Sequence, residues 1–142
     1  MQIKDILRLK GADVATISPD ATVAELVAGL AEHKVGALVV SSQDTPVVGI
    51  VSERDVVRGL ARHGTDLLDQ PVSAIMTSEV FTCEPGFGLV EMATEMTVRR
   101  FRHVPVLEEG RMVGIVSIGD VVKKRIDQLK AERDQLEAYI ST

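Results

Sequence analysis

A duplication inside the chain constrains its fold more than any other feature. When the 142-residue sequence is laid on itself with a shift of 66, Thr16, Pro19, Glu25 and Val40 meet Thr82, Pro85, Glu91 and Val106. With the shift reduced to 65, Gly49-Ile50-Val51-Ser52 meets Gly114-Ile115-Val116-Ser117, and Asp55-Val56-Val57 meets Asp120-Val121-Val122. At the front, Ile3-Lys4-Asp5-Ile6-Leu7 matches Val72-Ser73-Ala74-Ile75-Met76 after a three-residue insertion near Gly11. Two copies of one unit are therefore present: residues 1–68 and 69–126, followed by a C-terminal helical extension, 127–142. A unit of this size buries too little surface alone, so the copies are expected to pack on each other.

Each copy reads as strand, helix, strand, strand, helix, an α+β (α/β-like) pattern. Val14 to Ser18 and Val80 to Cys83 read as short strands that end at Pro19 and Pro85, where a ladder donor is lost. Thr22 with Glu25 predicts an N-cap and capping box, and Gly88 with Glu91 a weaker version. Val23, Leu26, Val27 and Leu30, and then Leu89, Met92, Ala93 and Met96, recur at helical spacing. Apolar strands follow at Ala37 to Val40 and Val47 to Val51, and again at Val104 to Leu107 and Met112 to Val116. Polar turns join each pair. Second helices are expected from Glu53 to Arg62 and from Gly119 onward. The last one is long. Val122, Ile126, Leu129, Leu136 and Ile140 follow alternating four- and three-residue steps, with Arg133 in the one polar slot. A helix of about 24 residues spans about 36 Å. It either lies on its own domain or meets a second chain, where Arg133 would serve as a polar register device.

Charge and cysteine usage exclude several classes. Sixteen Lys+Arg against 21 Asp+Glu give a formal charge of -5, spread over both halves, which argues against a nucleic-acid duplex as partner. Four aromatics, Phe81, Phe87, Phe101 and Tyr139, are too few for a single-strand stacking platform. Cys83 is the lone cysteine, so neither an internal disulfide nor a thiol pair for a metal is expected. Lys4, Asp5, Arg8 and Lys10 interrupt any secretory leader, and no apolar run is long enough to cross a membrane. A cytoplasmic protein is expected. His33, His63 and His103 show no metal or catalytic spacing, and no nucleophile-elbow or phosphate-loop motif occurs, so no enzyme is expected.

Candidate site residues stand where strands give way to helices. The repeated Gly-Ile-Val-Ser-x-x-Asp places Ser52 with Asp55, and Ser117 with Asp120, at helix starts. Such a pair caps a helix, with the carboxylate favoured at its positive end. The same corner offers free N–H groups to a phosphate and a carboxylate to the vicinal hydroxyls of a ribose. Arg102 and His103 open a strand in the second copy, and supply a planar guanidinium fork and an imidazole donor. The first copy has Gly36-Ala37 there and Val39 in place of Pro105, so a weaker phosphate site is expected. Arg54 and Arg58 could compensate, although an ion pair with Glu53 or Asp55 is the simpler role.

The Ile75-Met76-Thr77 entry, the His103-Val104-Pro105-Val106 strand and the repeated Gly-Ile-Val-Ser-x-x-Asp close resemble a tandem pair of cystathionine-β-synthase (CBS) domains, a Bateman module, from about Ile3 to Arg125. The likeness is greatest to small stand-alone bacterial proteins of that kind. It implies two pseudo-symmetric units associated through their sheets, with adenosine ligands (AMP, ADP, ATP, S-adenosylmethionine or NAD) in clefts between them. It also implies disc-like dimers of pairs. Carried onto this chain, Asp120 and Asp55 would hold ribose hydroxyls, Ser117 and Ser52 ribose or phosphate, and Arg102 and His103 phosphate. Groups around Val80, Thr82, Cys83 and Phe101, and around Thr16 and Val35, would enclose adenine. The expected function is a regulatory adenine-nucleotide module: a homodimer that signals to an unidentified regulated protein, without catalysis or required cofactor. The alternative is an interaction scaffold with vestigial clefts, acting through its helical dimer surface.

Overall fold

The computed structural model describes residues 1–11 and 13–141; Ala12 and Thr142, the last residue of the expected extension, lie outside the described residues. In chain order the elements are α1 (Ile3–Lys10), β1 (Thr16–Ile17), α2 (Val23–His33), β2 (Ala37–Val40), β3 (Gly49–Ser52) and α3 (Glu53–His63), followed by α4 (Leu89–Arg99), β4 (His103–Glu108), β5 (Arg111–Ser117) and α5 (Ile118–Ser141). Two 3-10 turns, Gly64–Asp69 and Val72–Ala74, follow α3, the second of them in the leading segment of the second copy. The mixed helix and strand content is the expected α+β class, with a 24-residue helix at the C-terminal end.

Packing groups the chain into two compact units that do not follow chain order. A central unit comprises Asp13–Phe81 and Glu109–Met112; a terminal unit comprises Met1–Ala12, Thr82–Glu108 and Val113–Thr142. The duplicated stretches 1–68 and 69–126 describe sequence, whereas packing moves each copy's leading segment onto the body of the other copy. In the terminal unit, the Ile3 N–H donates to the Phe87 carbonyl at 2.9 Å and the Leu89 N–H to the Met1 carbonyl at 3.0 Å. In the central unit, the Val72 N–H donates to the Ala21 carbonyl at 2.8 Å and the Val23 N–H to the Gln70 carbonyl at 2.9 Å. The four bonds form two equivalent pairs. Each segment satisfies backbone groups at the start of a helix, where the first N–H groups have no partner within the helix.

The central unit is built on a three-stranded sheet of order β1-β2-β3, with β1 parallel to β2 and β2 antiparallel to β3. Val39 faces Thr16 and Ile50 in this register. Val23, Leu26 and Leu30 of α2 pack with Leu38, Val40, Val51 and Val56, and Leu67 and Val72 close the core. The Thr22 cap forms as its spacing predicts: Thr22 Oγ1 accepts the Glu25 N–H at 3.1 Å. The terminal unit carries the hairpin β4–β5.

The first strand of each copy is shorter than expected. Val14 to Ser18 narrows to Thr16–Ile17, and Val80 to Cys83 reduces to a single parallel bridge, Cys83 with Val106. Beside that bridge stands Pro105, which has no N–H to extend a ladder, whereas Val39 in the first copy keeps its donor.

Candidate functional site

The two strand-to-helix corners realise the Ser-x-x-Asp pattern as helix caps. At the start of α5, the Ser117 N–H donates to Asp120 Oδ2 at 2.9 Å and the Asp120 N–H donates back to Ser117 Oγ at 3.1 Å. At the start of α3, the Ser52 N–H and Oγ both donate to Asp55 Oδ2, at 2.8 and 3.1 Å. Among the described residues, the hydrogen bonds these carboxylates accept fall on Oδ2.

A second pair of equivalent bonds sets what stands beside each helix start. The Ile118 N–H donates to the Arg102 carbonyl at 2.8 Å, and the Glu53 N–H donates to the Gly36 carbonyl at 3.0 Å. Arg102 therefore sits at the N-terminal end of α5, exposed, with half-buried His103 next to it at the first position of β4. A guanidinium at the positive end of a helix suits an anion. The central corner is different. Gly36 brings no side chain, and the Glu53 carboxylate lies over it, with Oε1 3.4 Å from where a Cβ would stand. That carboxylate opposes a phosphate at the place where the terminal corner presents arginine.

The structure adds a residue that spacing did not reveal. Lys10, the last residue of α1, donates from Nζ to Asp120 Oδ2 at 2.7 Å. Partial burial pushes the Asp120 carboxyl upward, but the Lys10 hydrogen bond and charge and the Ser117 N–H and hydroxyl outweigh it, holding it below the ordinary carboxylate value. Lys10, Ile6 and Leu9 of α1 line a hollow of about 240 Å³ with Asp120, Lys123 and Lys124 of α5. Lys10 lies beyond the stretch matched to Val72–Met76 and 110 residues from its partner, so no local motif marks it.

The remaining candidates scatter. Val35 is exposed and lines a mainly apolar hollow of about 320 Å³ between α2 and α3, with Glu53 at its margin. Thr16 lies exposed in β1. Phe101 and Thr82 are half-buried in the terminal unit, while Val80 belongs to the central one. Cys83 is buried, and its N–H and carbonyl are already bonded to Pro105 and Leu107 of β4. Burial pushes its thiol up to about 11, so it is neutral and a poor nucleophile at ordinary pH. Arg54 and Arg58 are exposed, and among the described residues neither forms an ion pair with Glu53 or Asp55. His33 and His63 end α2 and α3, also exposed. Among the described residues no cluster could hold a metal ion, and no helix is long and apolar enough to cross a membrane.

Comparison with known proteins agrees with this architecture. The family model described as CBS domain matches residues 3–62 and again residues 72–127. The crystal structure of the CBS-domain containing protein ATU1752 from Agrobacterium tumefaciens is 46% identical, covers 88% of this chain and 99% of that one, and superimposes with a TM-score of 0.85. The CBS domain protein PAE2072 from Pyrobaculum aerophilum, solved in complex with AMP, is 30% identical over 84% of this chain and 89% of that chain, with a TM-score of 0.74. Among curated proteins, the mitochondrial CBS domain-containing protein CBSX3 of Arabidopsis thaliana is 36% identical over 146 residues, covering 97% of this chain and 71% of its own length.

Proposed function

Because this chain belongs to the CBS-domain family and carries the domain twice, we propose that it is a regulatory module that binds an adenosine-containing ligand, AMP, ADP, ATP or NAD. The observation that carries this reading is the terminal corner, where the Asp120 carboxylate, the start of α5 and Arg102 stand together. The AMP complex of a 30% identical relative supports the ligand class. In this reading Asp120 Oδ1 accepts from the ribose hydroxyls. Ser117 meets sugar or phosphate at the positive end of α5, Arg102 and His103 hold phosphate oxygens, and Phe101, Thr82 and Cys83 border the base. Asp55 and Ser52 act alike in the central unit. There Glu53 over Gly36 selects against phosphate, leaving Arg54 the adjacent cation and Val35 and Thr16 the neighbours of the base. The module performs no catalysis. It works as a homodimer, and a ligand changes its state only by binding one conformation more tightly than another.

Isothermal titration of the protein with AMP, ADP, ATP and NAD tests the reading. At least one should bind, and Asp120→Ala or Arg102→Ala should weaken it by about 10- to 100-fold through loss of charge-assisted hydrogen bonds. A folded protein that gives no heat with any of the four would reject the receptor reading. The exposed apolar stripe of α5 favours the scaffold alternative, and dimerisation without any nucleotide response would select it.

A further inference from the structure

Residues 131 to 141, the distal half of α5, are all exposed. Its apolar stripe is open over the full length, with Val122 49%, Ile126 46%, Leu129 47%, Leu136 63% and Ile140 80% exposed. The steps between these residues and Arg133 alternate four and three, the spacing of the two core positions of a heptad. Ile126, Arg133 and Ile140 take one core position of the heptad, and Val122, Leu129 and Leu136 the other. Resting on the homodimer in the function proposed above, we infer that the partner of this stripe is the same helix of a second copy, running antiparallel, with Val122 opposite the partner's Ile140.

Charge decides the occupant and its direction. In a parallel pair, Arg133 would face the partner's Arg133 in the seam. On the flanks, Arg125 would meet the partner's Lys130, and Glu132 the partner's Glu137, each contact occurring twice. Both flanking pairs would be between like charges, and the two guanidinium groups would share one core layer. In the antiparallel pair the two-fold axis falls at Ala131. Ile126 then packs on the partner's Leu136, and Leu129 on the stem of the partner's Arg133. Lys123 meets the partner's Glu137 twice, and Arg125 meets the partner's Tyr139 ring twice. Like charges meet only on the axis, at Lys130 and Glu132, and the guanidinium of the partner's Arg133 stands beside Glu132. Within its own helix Arg133 reaches Asp134 at 3.0 Å and Glu137 at 4.0 Å, exposed pairs weak enough to be exchanged for a partner's carboxylate. The stripe is therefore complementary to itself in one direction, as an isologous two-fold interface requires.

Cysteine cross-linking of the full chain reads the direction. Val122→Cys and Ile140→Cys proteins are mixed in equal amounts, oxidised, and their products identified by peptide mass spectrometry, with light scattering on the unsubstituted protein. Buried Cys83, its thiol raised to about 11, stays out of the exchange. The expected product joins position 122 of one chain to position 140 of the other. Products joining 122 to 122 and 140 to 140 mean a parallel pair and overturn the inference. An unlinked protein that still scatters as a dimer overturns it too, and leaves the homodimer proposal standing. An unsubstituted protein that scatters as a monomer removes both. Charge reversal adds a sign test. Glu137→Lys weakens an antiparallel dimer by about tenfold, and Lys123→Glu in the same chain restores it. In a parallel pair Glu137→Lys would strengthen association instead.

Discussion

Gly49 in β3 and Gly114 in β5 occupy equivalent places in the two copies, yet the same substitution has unequal consequences. A Cβ on Gly49 would stand 2.7 Å from the Thr77 carbonyl oxygen and 2.8 Å from Met76 Sδ. A Cβ on Gly114 would stand 2.5 Å from Leu7 Cδ2 and 3.3 Å from Leu7 Cδ1. The first obstacle is backbone held in place, because the Ile50 N–H donates to that carbonyl at 2.9 Å and the Thr77 N–H donates back at 2.9 Å. The second is the far end of a side chain that can rotate. For Gly49→Ala, overpacking costs about 1–3 kcal/mol and two weakened backbone hydrogen bonds about 1 kcal/mol each, against about 0.4–1 kcal/mol gained by stiffening the unfolded chain. The net loss is about 2–4 kcal/mol, or roughly 6–14 °C in Tm for a chain of this size. For Gly114→Ala, an off-rotamer Leu7 costs about 0.5–1.5 kcal/mol against the same gain, leaving about 0–1 kcal/mol. Urea and thermal denaturation of both variants measure the difference. Leu7→Ala should remove the Gly114→Ala penalty in a double-mutant cycle, whereas Met76→Ala should not remove the Gly49→Ala penalty, since the carbonyl remains. Equal losses at the two glycines, or full relief by Met76→Ala, would refute the argument that fixed backbone is the obstacle.

Two further outcomes follow from the corner and the buried thiol. Asp120→Asn should cost about 0.5–1.5 kcal/mol at pH 7, the size of a partly exposed charged contact. The native Asp120 carboxyl is held below its unfolded value of 3.8, so this contribution is complete above that value and disappears as pH falls through the native one. Wild type and variant should therefore converge as the pH falls well below 3.8 in chemical denaturation, and a gap that widened with acid would contradict the assignment. Cys83, with its thiol raised to about 11, should resist a disulfide-exchange reagent at pH 8 in the native protein and react once urea exposes it. Labelling of the native protein as fast as of a free thiol would rule out the buried, neutral state.

What could be read from the chain without coordinates is what short spacing controls. Thr22 with Glu25, and Ser52 and Ser117 with their Asp partners, lie three residues apart; the Thr22 N-cap bond and both Ser–Asp contacts form. The seam residues of α5 are likewise local, which is why its 24-residue length was legible. The missing information is of longer range. Lys10 reaches Asp120 across 110 residues, and nothing near either residue encodes the contact. The exchange of leading segments is invisible to a repeat alignment, because both copies match equally well whichever body each segment covers. The lost strand at Val80 to Cys83 was a competition between apolar composition and one missing donor, Pro105, and the donor decided it.

The exchange of leading segments also separates the unit of inheritance from the unit of folding. A gene cut between the duplicated stretches, after Leu68, would yield a front fragment without Gln70 and Val72, whose backbone closes the start of α2. The back fragment would likewise lack Met1 and Ile3, which do the same for α4. Neither product is half of this protein. Each is a body missing its lid, and only when the two are mixed, as a split pair, can they supply what the other lost.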